Sequence, residues 1–429
     1  MDPFVYSRTD DIENVSSKVD TQRMKITYLH QHFKTLSMSG GTRSFEFAKR
    51  LASNGHDVNV ISAWTQSYHP PSKIQMIENF RVHWIMVSYD INMSFIRRIW
   101  SFLLFAARAS LVAVRLRADV IFATSTPLTI IIPGFLASKL RRAPLVFEIR
   151  DIWPEAPISI GAIKNPLLIK LAEKLESFAY SNSNQIITLA PRMSRHIVKW
   201  GFKKEDVTLV PNACDLELFS TCRSKSGFLT AKEHKLIGKK IFLYCGTVGL
   251  VNGLSFLVDV AKFTHNLDKS IAFVVVGTGN DLLNVTEKAQ AAGVLNVNFF
   301  LLPPVSKLEV PLVLADADIA SNLVIPNPEL RADSANKFFD ALASGTPVCM
   351  NMEGPLADLI VTKSAGLVVP QNASEAATLI TTYLSDTESL REAKSNALEL
   401  GKSYFDRNKL AMQIEQVLIK AVVCASRKN

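Results

Sequence analysis

From Lys25 onward, short apolar runs alternate with longer stretches whose apolar residues recur at helical spacing. In the first half the runs predict strands at Ile26–Leu29, Asp57–Ile61, Val82–Val87, Val120–Ala123, Leu145–Ile149, Ile186–Leu189 and Val207–Val210. The second half predicts strands at Ile241–Cys245, Ala272–Val276, Val297–Phe300, Ile319–Ser321, Val348–Met350 and Gly366–Val369. Repeated strand–helix order implies parallel sheets covered by helices on both faces. The loop-like stretch Cys222–Gly238 separates the two series, so the fold class is α/β with two Rossmann-like domains, residues 24–212 and 213–407. Ligands of open α/β sheets bind beyond the carboxyl ends of the strands, which places a site in the cleft between the two sheets. Met1–Arg23 is polar and patternless and reads as a disordered leader without a signal-peptide pattern, with Met24 an alternative start.

One segment carries more candidate chemistry than the rest. Residues 334–347 read Ser-Ala-Asn-Lys-Phe-Phe-Asp-Ala-Leu-Ala-Ser-Gly-Thr-Pro, which predicts a short helix closed by Gly345 and followed by a strand. A helix amino end offers unpaired N–H groups and a positive dipole end, and both attract phosphate. Lys337 adds a full charge there, while Ser334 and Asn336 stand beside it. Asp340, three residues on, shares the face of Lys337 and can accept hydrogen bonds from ribose hydroxyls. The set suits the diphosphate and ribose of a nucleotide sugar. An ordinary αβ unit with a surface lysine has the same pattern.

Other strand-end loops also suit a phosphorylated ligand. Ser39-Gly40-Gly41-Thr42 precedes a helix predicted over Arg43–Asn54, and two glycines let backbone N–H groups approach an anion closely. A flexible loop with a glycine hinge reads the same way. Gly246-Thr247-Val248-Gly249 follows a strand, with Asn252 and Gly253 before the next helix. Gly277-Thr278-Gly279 follows another, but no third glycine completes a dinucleotide fingerprint. Glu148-Ile149-Arg150-Asp151-Ile152-Trp153-Pro154-Glu155 leaves a first-half strand, where Arg150 can steady a phosphate and Asp151 a sugar hydroxyl or the acceptor's proton. A buried Arg–Asp pair fixing the turn before Pro154 is the competing reading. Asp316-Ala317-Asp318 enters a buried strand and is assigned no chemistry.

Composition narrows the partners. The chain has 429 residues, 48% hydrophobic and 20% charged, enough for two cores. Cysteines 214, 222, 245, 349 and 424 form no CxxC or zinc spacing, which points to a reducing compartment and no structural metal. The net charge of +9 is uneven: residues 24–212 hold 24 Lys and Arg against 12 Asp and Glu, whereas 213–429 hold 21 against 22. Such a half favours an anionic partner. No nucleic-acid signature is present, so an anionic membrane surface is the better candidate.

Residues 94–117 sharpen that expectation. Their apolar run is broken by Arg108 and Arg115, too soon for a membrane-spanning helix. On a helix Arg97, Arg108 and Arg115 share one face, with Trp100, Phe102, Leu103 and Phe105 around it, as in helices lying in a bilayer interface. A core helix with a solvated basic stripe is the alternative.

Together these features resemble glycosyltransferase family 4, the retaining enzymes of GT-B fold. The resemblance covers most of residues 24–425 and rests on five ordered markers: the Gly40-Gly41 loop, Pro211-Asn212-Ala213-Cys214-Asp215-Leu216-Glu217-Leu218-Phe219, Tyr244-Cys245-Gly246-Thr247, Val276-Gly277-Thr278-Gly279, and Asp340-Ala341-Leu342-Ala343-Ser344-Gly345-Thr346-Pro347-Val348. Asp151-Ile152-Trp153-Pro154-Glu155 and Asn336-Lys337-Phe338-Phe339-Asp340 resemble the branch making bacterial O-antigen or capsule, which includes N-acetyl-L-fucosamine-type transferases. The resemblance implies a nucleotide sugar, here a UDP-sugar, bound on the second domain. It implies an undecaprenyl-diphosphate-linked sugar as acceptor on the first, and a last helix (residues 408–429) crossing back. The expected location is cytoplasmic, peripheral on the inner face of the membrane, with no cofactor and no catalytic metal. The family's paired glutamates fall at Ala332 and Asp340, so only a shortened carboxylate survives. The Arg and Lys that commonly flank the donor diphosphate are absent; Thr247 and Asn252 stand near their places, and Lys337, with Arg331 or Arg43, replaces that charge. Lys337 is then the expected catalytic cation, with Arg150 and Asp151 on the acceptor side. A UDP-N-acetylglucosamine 2-epimerase shares the same cleft, and a non-catalytic nucleotide-sugar or lipid-binding module is the reading from another class.

Overall fold

The computed structural model describes residues 23–427 apart from positions 37, 39, 66–69, 71, 91–92, 156–157, 159–162, 223 and 328–333. The leader through residue 22, Arg331 and Ala332 therefore lie outside the described residues.

The first sheet holds eight strands: β1 (Lys25–Leu29), β2 (Asp57–Trp64), β3 (Ile74–Ile77), β4 (Phe80–Met86), β5 (Val120–Thr124), β6 (Leu145–Ile149), β7 (Gln185–Thr188) and β8 (Val207–Leu209), in the order β3-β4-β2-β1-β5-β6-β7-β8. All neighbours pair parallel except β3, which runs antiparallel to β4. β3 is the strand that hydrophobic patterning missed. Its four residues lie on an edge with alternately exposed side chains, so neither core face imprints a pattern on them.

The second sheet is wholly parallel: β9 (Lys240–Cys245), β10 (Ile271–Val276), β11 (Phe299–Leu302), β12 (Ile319–Asn322), β13 (Val348–Met350) and β14 (Gly366–Val368), ordered β11-β10-β9-β12-β13-β14. β11 starts two residues later than the apolar run at Val297 suggests. Val297 is exposed, and pairing of Phe299 with Phe273 sets the register instead.

Helices cover both faces of each sheet. In the first, one core joins the helix Arg43–Ser53 to the last helix, Arg407–Ser426, whose Leu410, Ile414, Val417, Leu418 and Ala421 are buried in it as the helix packs on β5, β6, β7 and the helix Arg43–Ser53. Each large side chain so buried contributes about 1.5–3 kcal/mol, so the last helix is integral to this half although it follows the second in sequence. The opposite core is roofed by Phe95–Ala113, Ile131–Arg141, Pro166–Ser181 and Pro191–Lys199. The two chain crossings between halves are tied side by side. Cys214 N–H donates to Phe405 O at 2.7 Å and Arg407 N–H to Cys214 O at 3.2 Å, while the Arg407 guanidinium pairs with Asp215.

The helix expected over 94–117 ends at Ala113, which corrects the reading of its basic face. Arg115 lies in the turn beyond it, and Phe105 is 0% exposed in the core. Trp100 is 67% exposed, with Ile96, Leu103, Leu104 and Leu111 also on the surface. Arg97 and Arg108 remain exposed, Arg108 donating to Met86 O at 2.5 Å.

Candidate active site

A cavity of about 440 Å³ opens between the carboxyl ends of the two sheets. From the first half it is lined by Met38, Gly40, Gly41 and Thr42, and from the second by the loops after β9, β10 and β11 and the helix Asn336–Ser344. The halves approach closely here: a Cβ on Gly41 would lie 2.9 Å from Asn336 Nδ2 and 4.0 Å from Arg150 Nη2. Asn212 Nδ2 also donates to Ser334 O at 2.6 Å.

The helix Asn336–Ser344 forms because Phe338, Phe339, Ala341 and Leu342 bury against the second sheet, and Gly345 ends it in the left-handed region at φ 72°. Ala335 offers no side-chain cap, Phe338 N–H donates to Ala335 O at 3.1 Å, and this amino end lines the cavity through Ala335, Asn336 and Lys337. Lys337 is half-buried rather than an exposed helix-start residue. Its Nζ donates to Asn252 Oδ1 at 2.8 Å and to Tyr244 OH at 3.2 Å, and lies 4.6 Å from the Tyr244 ring centroid. Asn252 Nδ2 and Tyr244 OH both donate to Thr247 O, which fixes the two groups that hold the lysine. Gly246, Thr247, Asn252 and Gly277 all line the cavity.

Asp340 lies deeper in the same wall and accepts from Lys307 Nζ at 2.5 Å. Burial raises its pKa, and Lys307 opposes that rise without cancelling it. Burial likewise pushes the neighbouring Cys245 thiol up to about 12, so it is no nucleophile at neutral pH. Lys307 and Arg407 both line the cavity, and neither was legible as a site residue. Lys307 follows a strand end, a weak positional signal, and Arg407 is a cation at a helix start, where the dipole disfavours it. Arg407 is buried, yet its Nη1 has no hydrogen-bond partner.

Four sequence-derived assignments are corrected. Arg43 is 1% exposed and cannot face a diphosphate. It donates from Nε and Nη2 to Glu148 Oε1 at 3.0 and 2.8 Å, and to the carbonyls of Val210 and Pro211. Gly279 does not line the cavity; a Cβ there would meet Val248 O at 2.1 Å, so its role is loop packing. Ser334 supplies the carbonyl that Asn212 holds instead of lining the cavity. Asp151 is exposed, outside the cavity lining, and accepts from Thr126 Oγ1 at 3.2 Å rather than pairing with Arg150. Arg150 points toward Gly41 and donates to His30 Nε2 at 3.3 Å.

Comparison with known proteins accounts for this arrangement. The "Glycosyl transferase 4-like domain" family matches residues 40–213, and "Glycosyl transferases group 1" matches residues 228–400. The chain is 24% identical over 313 residues to the putative colanic acid biosynthesis glycosyl transferase WcaI of Escherichia coli K12, covering 67% of this chain and 75% of that protein. It is 21% identical over 239 residues to the probable glycosyltransferase WbjE of Pseudomonas aeruginosa, covering 55% of this chain and 58% of that one. Among solved structures, Anabaena HepE in complex with UDP and glucose superposes with a TM-score of 0.71 at 19% identity, covering 93% of this chain and all of that one.

Proposed function

We propose, from the premise that the chain belongs to the GT-B glycosyltransferases of the family 4 type, that it moves a sugar from a UDP-sugar to a lipid-diphosphate-linked saccharide. The observation that carries this reading is the clamp around the cleft cavity. The amino end of Asn336–Ser344 and the Lys337 ammonium stand on one side, and the Gly40–Gly41 loop opening a second helix stands on the other. Two helix amino ends and a lysine suit a diphosphate.

Asn252, near the place of the family's missing lysine, is where the Lys337 ammonium arrives. One cation from the helix thus occupies the position the family fills from the loop after β9. As the glycosidic bond to the leaving UDP breaks, negative charge grows on the diphosphate. Lys337 and the helix N–H groups are already oriented to receive it, so little reorganisation is needed in the transition state. Retention of anomeric configuration is what the family implies for this chemistry.

HepE was crystallised with UDP, which supports a donor of this class, and WcaI is named for colanic acid biosynthesis, which supports a role in bacterial surface polysaccharide. No helix among the described residues is long and apolar enough to cross a membrane. The exposed Ile96, Trp100, Leu103 and Leu104 beside Arg97 and Arg108 support peripheral docking on an anionic membrane face, where a lipid-linked acceptor would be met. Incubation with radiolabelled UDP-sugars and membrane extract tests the reading. Transfer of label to lipid supports it, while epimerised free nucleotide or no turnover assigns the chain to an epimerase or a binding module.

A further inference from the structure

The wall of the cleft beside the cavity carries more positive charge than the described carboxylates answer. His30, His32, Lys34 and Arg150 form one electrostatic cluster at the carboxyl ends of β1 and β6. Lys34 makes no ion pair among the described residues. Arg150 donates to the neutral His30 ring and shares the field of Glu148 with Arg43, while Asp151 turns to Thr126 and Glu148 gives its hydrogen bonds to Arg43 and Thr124. Within the cluster His30 Nδ1 and both amide atoms of Gln31 are buried without hydrogen-bond partners. Burial first, then Lys34 and Arg150, hold the His32 pKa down at about 4, as expected in a net positive field. His32, Lys34 and Arg150 are each only partly buried, so a ligand can reach them.

The same cluster runs into an apolar surface. The His32 ring lies 5.0 Å from Tyr89 and 6.1 Å from Phe102, and Tyr89 stacks on Phe102 at 5.6 Å. Phe102 belongs to the helix Phe95–Ala113, whose outer face exposes Ile96, Trp100, Leu103 and Leu104. A phosphate alone has no use for that surface, and a hydrocarbon alone has none for the cations.

We infer that His30, His32, Lys34 and Arg150 form an anion site for the head group of an amphiphile, a polyprenyl-type lipid diphosphate, whose chain leaves over Phe102 toward Trp100. This rests on the glycosyltransferase reading and assigns the residues that hold the acceptor's head group in the same cleft. The head would sit across Gly41 from Lys337, with the donor and acceptor phosphates held by different cations.

The test fills the donor cavity with saturating UDP and then titrates three probes by calorimetry: farnesyl diphosphate, inorganic pyrophosphate and farnesol. The expected result is that farnesyl diphosphate binds at least about tenfold more tightly than pyrophosphate, since prenyl burial adds to the charge-assisted contacts. Lys34→Gln should weaken both diphosphates about tenfold and leave farnesol unaffected. Trp100→Ala should weaken farnesyl diphosphate only. UDP affinity and melting temperature, measured on each variant, should match the parent. Equal affinity for pyrophosphate and farnesyl diphosphate would make this a site for free phosphate and overturn the lipid assignment. A parallel loss of UDP affinity in Lys34→Gln would place these cations in the donor site and overturn it as well. Farnesyl diphosphate binding unchanged in both variants would end the proposal, while intact UDP binding would leave the glycosyltransferase reading standing. If the parent fails to bind UDP, that reading falls, and the response of farnesyl diphosphate to Lys34→Gln still judges the site.

Discussion

Replacing Lys337 by alanine should cut turnover about a hundredfold while leaving the protein folded. Its ammonium donates to Asn252 Oδ1 at 2.8 Å and to Tyr244 OH at 3.2 Å, and lies over the Tyr244 ring face. At roughly 4 Å and an effective dielectric near 20, a unit charge and a phosphate charge interact by about 4 kcal/mol. Part of this is already present in the bound donor. On the order of 3 kcal/mol lost in the transition state corresponds to about two decades in rate. The structural cost is smaller: two hydrogen bonds to neutral groups at a half-buried site are worth about 1 kcal/mol each at most, or a few degrees in Tm. Lys337→Met keeps the stem over Tyr244 and separates charge from packing. The assay is initial rate at saturating UDP-sugar, with UDP affinity by calorimetry and melting by circular dichroism. Turnover within about threefold of the parent in a folded Lys337→Ala protein would refute the role of this cation.

Asp340→Asn should weaken UDP binding by removing the carboxylate that accepts from the ribose hydroxyls, an effect that exceeds any gain from freeing Lys307; unchanged calorimetric affinity would make Asp340 merely structural. Glu148→Gln should destabilise the first half by about 3–5 kcal/mol in urea unfolding, because it leaves Arg43 buried without its counter-charge. Burial alone would raise the Glu148 pKa, but Arg43, then Arg150 and the hydrogen bonds, bring it below the usual carboxylate range. Its stabilisation is therefore complete above the unfolded glutamate value of about 4.3 and is lost as pH falls through the lower folded value, an acid limb that Glu148→Gln should flatten. Gly279→Ala should abolish soluble protein or lower Tm steeply, since its Cβ would sit 2.1 Å from Val248 O; a parent-like melt would refute that close approach. Changing Arg97, Arg108 and Arg115 together to glutamine should move protein from pelleted anionic liposomes to the supernatant, at roughly 1 kcal/mol per charge, with Trp100 retaining a salt-insensitive fraction. A triple variant that pellets like the parent assigns this helix to the core alone.

The strand–helix alternation was legible because each central strand is apolar on both faces, and that leaves continuous runs such as Ile271–Val276, all six residues buried. The Asn336–Ser344 helix was legible from its glycine stop and its Phe338–Phe339 core residues. Edge geometry was not. The alternately exposed Ile74–Ile77 strand is defined by its partner β4, and the start of β11 by pairing with β10. At the site, the sequence placed Lys337, Asn252, Thr247 and Gly41 around one cavity, because strand-end loops converge by topology. It misjudged Arg43 and missed Lys307 and Arg407.

Those errors share one cause. The period of apolar residues and the positions of Gly and Pro act through local geometry, so the chain alone determined two α/β sheets, their order of elements and the loops that face each other. Whether a given cation is spent or available depends on a carboxylate far away in sequence. Arg43 is neutralised by Glu148, 105 residues on, and Arg407 by Asp215, 192 residues back. Asp340 takes Lys307, whereas Lys337 reaches across to Asn252 and Tyr244 in the cleft wall. Coulomb energy in a buried site depends on separations of a few ångströms and on local desolvation. Those quantities exist only once the two halves have folded and met.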